Sequence, residues 1–162
     1  MAISYLLLGT NVGNREQNLT KAMKYIEDRI GTVRKKSKIY QTEPWGERDQ
    51  DDFLNIAIEV DTKLKPKKVL EKIGEIEKLL DREETYKWGP REIDIDILFH
   101  GDELVSEMDL TIPHPFLHER KFTLIPLSEI APDLYHPIMG ATIVDLLLEC
   151  EDTLDVQEYK SK

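Results

Sequence analysis

Two aspartates one residue apart, in the string Asp94-Ile95-Asp96, carry the sharpest chemical signal in the sequence. In a strand successive side chains alternate, so both carboxylates point to one face, about 7 Å apart at Cα. Ile93, Ile95 and Ile97 then point to the other face, and Glu92 shares the parity of the acids. Like charges placed this way repel, and one carboxyl is pushed toward its neutral form unless a cation intervenes. Oxygen-only donors suit Mg²⁺, which is held by one or two carboxylates and completed by phosphate oxygens. The same pattern also describes the solvated face of an amphipathic strand, and the acids alone do not separate the two readings.

A basic and aromatic set accompanies the acids: Arg82, Lys87, Trp88, Arg91, His114, Arg120 and Lys121. Phosphate groups take Arg forks and His or Lys donors. Arg91 stands at the mouth of the acid-bearing strand, whereas each of the others also fits an ordinary surface charge. His114 lies between Pro113 and Pro115, which stiffen the backbone around the imidazole, with a structural histidine as the alternative. On another strand Phe53 and Asn55 share the face away from the apolar side. A ring and an amide placed so can stack on and hydrogen-bond a flat heterocycle, or simply form a partly covered sheet face. The sequence has no P-loop, no G-x-G-x-x-G and no H-E-x-x-H, and its four histidines and single cysteine show no zinc spacing. Any nucleotide site is therefore built by another route.

The elements that must hold these residues are legible as periodicities. Residues 2–9 read as a buried strand ended by Gly9. Asn14 can cap a helix with Gln17 three residues on, followed by Leu19, Ala22, Met23, Ile26 and Ile30 at helical spacing and Gly31 as a stop. Residues 32–40 give a weaker strand at a solvated edge, and 41–52 a loop with Pro44 and Gly46. In 53–60, Leu54, Ile56, Ile58 and Val60 alternate with Phe53, Asn55, Ala57 and Glu59. Pro66 opens a second helix with the stripe Val69, Ile73, Ile76 and Leu80, and a polar loop at 81–87 leads to a strand at Ile93–Phe99.

That order, β-α-β-β-α-β, predicts an α+β ferredoxin-like plait, a mainly antiparallel sheet with helices packed on one face. A Gly101-Asp102 turn, a Pro-rich stretch at 113–115 and two short C-terminal helices follow, the last from Thr142 with Asp145 in capping-box spacing.

The 162 residues suit one domain, 1–162. A composition of 40% hydrophobic and 33% charged residues is that of an ordinary globular chain. Its apolar runs are too short to span a bilayer, and the N-terminus lacks the pattern of a signal peptide. One cysteine, Cys150, permits no internal disulfide and points to the cytoplasm. A net charge of −10, from 32 acids against 22 bases, argues against broad nucleic-acid binding.

Several strings together resemble the 6-hydroxymethyl-7,8-dihydropterin pyrophosphokinase family. They are Leu8-Gly9-Thr10-Asn11-Val12-Gly13-Asn14-Arg15, Tyr40-Gln41-Thr42-Glu43-Pro44, Asp52-Phe53-Leu54-Asn55, and Trp88-Gly89-Pro90-Arg91-Glu92-Ile93-Asp94-Ile95-Asp96-Ile97-Leu98. Ile112-Pro113-His114-Pro115, Glu119-Arg120-Lys121-Phe122 and Ile130-Ala131-Pro132 extend the likeness, which runs from residue 2 to about 148.

The resemblance implies Mg-dependent transfer of pyrophosphate from ATP to 6-hydroxymethyl-7,8-dihydropterin, a step of folate biosynthesis that releases AMP. It implies that Asp94 and Asp96 hold two Mg²⁺ ions with ATP, and that Arg82 and Arg91 act with them in catalysis. Glu77, Arg82, Trp88, Arg91, Ile97, His114 and Arg120 would form the ATP site. Thr42, Glu43, Trp45, Phe53, Asn55 and Phe122 would form the pterin site, with loops 10–14, 43–52 and 81–91 closing over both. A monomer is expected, with a dimer left open.

The chain departs from the family's frequent Gly-Arg-x-Arg at Asp81-Arg82-Glu83-Glu84, and it carries Glu92, Trp45 and Phe53 where other residues are common. Two other readings use the same residues: a nucleotidyltransferase, which would release free pyrophosphate, and a non-catalytic binding module, which would need no Mg²⁺.

Overall fold

In the computed structural model the described residues are 1–43, 52–82 and 93–160, with Asp81 and Arg82 described by backbone alone. Ten strands and four α-helices are found among them. In chain order the first are β1 (Ala2–Thr10), α1 (Arg15–Arg29), β2 (Gly31–Lys36), β3 (Tyr40–Thr42), β4 (Phe53–Thr62), α2 (Pro66–Arg82) and β5 (Asp94–His100). There follow β6 (Val105–Glu107), β7 (Leu110–Ile112), a 3₁₀ turn at Leu117–Glu119, α3 (Lys121–Ile130), β8 (Tyr135–His136), β9 (Ala141–Thr142), α4 (Ile143–Glu149) and β10 (Val156–Glu158). No helix among the described residues is long and apolar enough to cross a membrane.

The main sheet runs β10-β3-β4-β1-β5, with β2 also on β4, and all its pairings are antiparallel. This is the expected ferredoxin-like α+β order, with the strand expected at 32–40 resolved into β2 and β3 on the same edge of β4. Ser37 bridges the gap between them. Its amide donates to Ala57 O at 2.9 Å, and its hydroxyl accepts from Ala57 N at 3.0 Å.

Asn14 caps α1 as its sequence position predicts, its side chain accepting from Gln17 N at 3.1 Å. Leu19, Ala22 and Ile26 of α1, with Val69, Ile73, Ile76 and Leu80 of α2, are buried in one core against Leu6, Leu8, Leu54, Ile56, Ile58 and Val60. α1 stops just before Gly31, as expected, without a positive φ at the glycine. Gly31 opens β2, where a β-carbon would stand 2.2 Å from Asp61 O, so close strand approach is what demands glycine.

The two plait helices, α1 and α2, share one face as expected, and the C-terminal helices take the other. A second core of Leu7, Ala57, Leu98, Phe99, Leu117, Leu124, Leu127, Ile143 and Leu146 covers the opposite face with α3 and α4. The irregularity in register between Tyr5 and Leu6, where Tyr5 pairs Phe99 and Leu6 pairs Ile97, brings both Leu98 and Phe99 to this side. β1 also continues through Gly9 to Thr10 rather than ending at the glycine.

Candidate active site

α3 and α4 cover only part of the second face. Where they stop, a cavity of about 830 Å³ opens over the ends of β1, β4 and β5. Register sets its floor. Gly9 pairs with Asn55 on one side and with Asp94 on the other, and Leu7 pairs with Ala57 and with Asp96. Strands lie about 4.8 Å apart, so Asn55 and Asp94 stand roughly 10 Å from each other across Gly9. A β-carbon on Gly9 would meet Asn55 Oδ1 at 2.6 Å, so the floor is shaped to admit that amide.

One side of the cavity is lined by Thr42, Glu43, Phe53 and Asn55. β3 and β4 pair Thr42 with Phe53. The chain entering β4 is held at Asp52, whose carbonyl accepts from Arg15 at 2.8 Å and whose carboxylate accepts from Gln41 Nε2 at 2.6 Å. Thr42 is buried, and its hydroxyl has no hydrogen-bond partner among the described residues. A buried hydroxyl facing a cavity in that state offers a place for a ligand's polar edge.

The other side carries the acids. Asp94 is exposed and Asp96 half-buried, and both line the cavity on the strand face predicted for them. β5 is an outer strand of the sheet, and Glu77 of α2 accepts from Ile95 N at 3.1 Å, securing the backbone between the two acids. Ile97 points the opposite way, into the first core, and is 5% exposed. Neither Glu77 nor Ile97 lines the cavity.

Arg120 and Phe122 come from the start of α3. The Arg120 guanidinium lies 5.3 Å from the Phe116 ring centre and 5.6 Å from that of Phe122. Aromatic faces so placed orient the guanidinium while leaving its N–H edge for an oxyanion. His114 is fixed by a bond from its amide to Leu98 O at 3.0 Å, and its Nδ1 accepts from Phe116 N at 3.2 Å. Burial pushes its pKa below the ordinary imidazole value. Asp96 opposes this shift and Arg120 adds to it, and His114 does not itself line the cavity.

Of the expected residues, the cavity gathers Thr42, Glu43, Phe53, Asn55, Asp94, Asp96, Arg120 and Phe122. Trp45, Trp88 and Arg91, with Glu92, lie outside the described residues, as does the side chain of Arg82. The cavity adds residues that sequence reasoning did not mark: Leu7, Gly9, Glu119 and the segment Glu151–Leu154. A glycine interrupting an apolar strand was a usable signal for Gly9. The 151–154 segment carries none.

The two carboxylates are oxygen donors open to the cavity, which fits a divalent ion of the Mg²⁺ type. Among the described residues no group of three or more His, Cys, Asp or Glu side chains gathers for a metal. Asp94 and Asp96 supply two of the oxygens such an ion takes, and phosphate oxygens can supply others.

Residues 5–132 match the family described as 7,8-dihydro-6-hydroxymethylpterin-pyrophosphokinase. The chain is 45% identical over 138 residues to a 2-amino-4-hydroxy-6-hydroxymethyldihydropteridine pyrophosphokinase of Aquifex aeolicus, covering 85% of this chain and 86% of the relative. It is 43% identical to the one of Methylorubrum extorquens, over 93% of this chain and 95% of the relative. Its fold is similar to wild-type HPPK-DHPS of Plasmodium falciparum solved with STZ-DHP, with a TM-score of 0.77 at 20% identity. That match covers 91% of this chain, which spans 43% of the longer Plasmodium chain.

Proposed function

In a chain that belongs to the 7,8-dihydro-6-hydroxymethylpterin-pyrophosphokinase family, a pyrophosphokinase of folate biosynthesis, we propose that the cavity binds the pterin on its Phe53 side and Mg-ATP on its Asp94 side. The observation that carries this reading is the union, in one cavity, of a flat-ring pocket with an acid pair and a stacked guanidinium.

The pterin ring lies between Phe53 and Phe122, with Asn55 and the Thr42 hydroxyl hydrogen-bonding its polar edge and Glu43 closing the rim. Trp45 completes this pocket from the preceding loop. Arg120 and His114 hold phosphate oxygens, with Arg82 and Arg91 added from the segment before β5, and Trp88 helps to shape the ATP site. Glu77 acts through the β5 backbone and keeps the acids in register, and the Ile97 backbone contributes to the nucleotide site. Two Mg²⁺ ions, when bound by Asp94, Asp96 and the triphosphate, supply charge neutralisation.

The roughly 10 Å between the amide and the first acid leaves the pterin hydroxymethyl group directed at the phosphates. Its oxygen forms a bond to the β-phosphorus as the bond from that phosphorus to the α–β bridging oxygen breaks, AMP departs with that oxygen, and the hydroxyl proton is released to solvent. No side chain needs to form a covalent intermediate, so positioning and charge carry the rate.

The two cores share one sheet, which supports reading residues 1–162 as one catalytic domain. The single free cysteine, Cys150, is in keeping with a cytoplasmic site of action.

Product analysis with ATP, Mg²⁺ and the pterin alcohol tests the assignment. AMP and pterin diphosphate are expected in equal amounts. ADP would make the enzyme an ordinary kinase, free pyrophosphate a nucleotidyltransferase, and no turnover with Mg²⁺ present would favour the binding-module reading.

A further inference from the structure

The chain beyond α4 returns to the cavity, outside the residues 5–132 that match the family. Asp152 accepts from Lys121 N at 3.1 Å through one carboxylate oxygen and from Leu154 N at 3.0 Å through the other. Lys121 is the first residue of α3, and Arg120 at the cap position makes no side-chain capping bond. The capping oxygen for α3 thus comes from a residue 31 positions further along.

The segment is tied down on both sides of the cavity. β10 pairs with β3 in the register Val156↔Thr42, and Tyr159 N donates to Ile39 O at 2.8 Å. Tyr159 Oη donates to Glu16 Oε1 at 2.7 Å, and the Arg15 guanidinium lies 5.7 Å from the Tyr159 ring centre. The far end of α3 is held separately by Glu129, which accepts from Lys38 N at 2.9 Å.

We infer that Asp152 is a positioning residue for the transfer site. It fixes the first turn of α3 and, through it, the orientation of Arg120 and Phe122 on either side of Lys121. The amides of a helix's first turn lack partners within the helix, and a carboxylate there also complements the positive end of the helix dipole. Without that oxygen the first turn frays, and the two side chains that flank Lys121 lose their fixed seat. A carboxylate beside a triphosphate site has an electrostatic cost, so its presence there calls for a compensating use. The inference rests on the site reading given above.

Asp152→Ala, Asp152→Asn and Thr142→Ala test it in the full chain. Thr142 caps α4 and does not line the cavity, so its loss controls for capping as such. Asp152→Ala is expected to raise KM for both ATP and the pterin roughly fivefold, the equivalent of one lost cap. Asp152→Asn, which keeps one acceptor oxygen for the Lys121 amide but gives up the bond from Leu154, should have KM values between those of Asp152→Ala and wild type, and Thr142→Ala should lower Tm without moving either KM. Wild-type KM values in Asp152→Ala would overturn the inference. So would KM values in Thr142→Ala raised as much as in Asp152→Ala, because loss of any helix cap would then account for the effect. Failure of the underlying site reading shows separately, as wild-type protein releasing products other than AMP and pterin diphosphate, and it would overturn both.

Discussion

Gly9 and Asn55 are register partners on β1 and β4, and a β-carbon on Gly9 would stand 2.6 Å from the Asn55 amide oxygen. The absence of a side chain at Gly9 is what lets that amide lie on the cavity floor. Gly9→Ala should therefore displace Asn55 while leaving the strand intact, at a cost of about 1–3 kcal/mol. Pterin affinity is expected to fall on the order of tenfold and nucleotide affinity much less. Separate calorimetric titrations decide it, and equal losses would argue against Asn55 as a pterin contact.

Asn55→Ala isolates the amide itself. An unpaired heterocycle edge costs about 1–3 kcal/mol, so pterin binding should weaken by roughly 5- to 150-fold with ATP binding retained. A variant with unchanged pterin affinity would move the pterin off the Phe53–Asn55 face.

Asp94→Ala and Asp96→Ala should each lower turnover on the order of 10³-fold, about 4 kcal/mol in the barrier. Both side chains project into the cavity rather than into a core, so native circular dichroism should persist. EDTA should stop the wild-type reaction and excess Mg²⁺ restore it. Near-normal turnover in either folded variant would remove the acids from the chemistry.

Arg120 is defined by its seat over two rings, which a lysine cannot reproduce. Arg120→Lys keeps the charge yet should lower kcat/KM for ATP about tenfold. Activity equal to wild type would mean that charge alone suffices there.

His100 and His136 are buried, and burial holds the pKa of each below the ordinary imidazole value. His118 adds to the shift at His136, whereas Glu103 partly opposes it at His100. His136 Nδ1 accepts from Ile138 N and Met139 N, so a proton there would displace two backbone bonds. Unfolded, both groups titrate near pH 6.5. Below that value the unfolded chain binds more protons. The stability they contribute is complete above about pH 6.5 and is lost as pH falls toward their lower folded values. Tm should be lower at about pH 5.5 than at 7.5, and His136→Asn should narrow the difference. An unchanged difference would assign it to other groups.

The helices were legible because their signals are local. The Asn14 cap and the Val69, Ile73, Ile76, Leu80 stripe each lie within a few turns of chain, and the structure uses them as read. Alternation in β4 separated its two faces but could not show that Ala57 is covered by α3 and α4, because that cover comes from residues some sixty or more positions later. Motif strings identified eight of the side chains that line the cavity. Gly9 stood in a motif string and interrupted an apolar strand, but its place on the cavity floor, like that of Asp152, was missed for a different reason. Their roles depend on strand register and on a tail crossing back to β3, neither of which leaves a periodic trace.

The central position of β1 has a consequence for how the protein acquires its shape. This strand is made first, yet one edge waits for β4 at residues 54–62 and the other for β5 at residues 94–100. Closing such long loops must precede any reward from the pairing, which slows folding relative to a fold built on local contacts. The acids can join Gly9 and Asn55 only when β5 docks against β1. A chain halted just short of β5 has the residues for much of its first core but none of its acid pair.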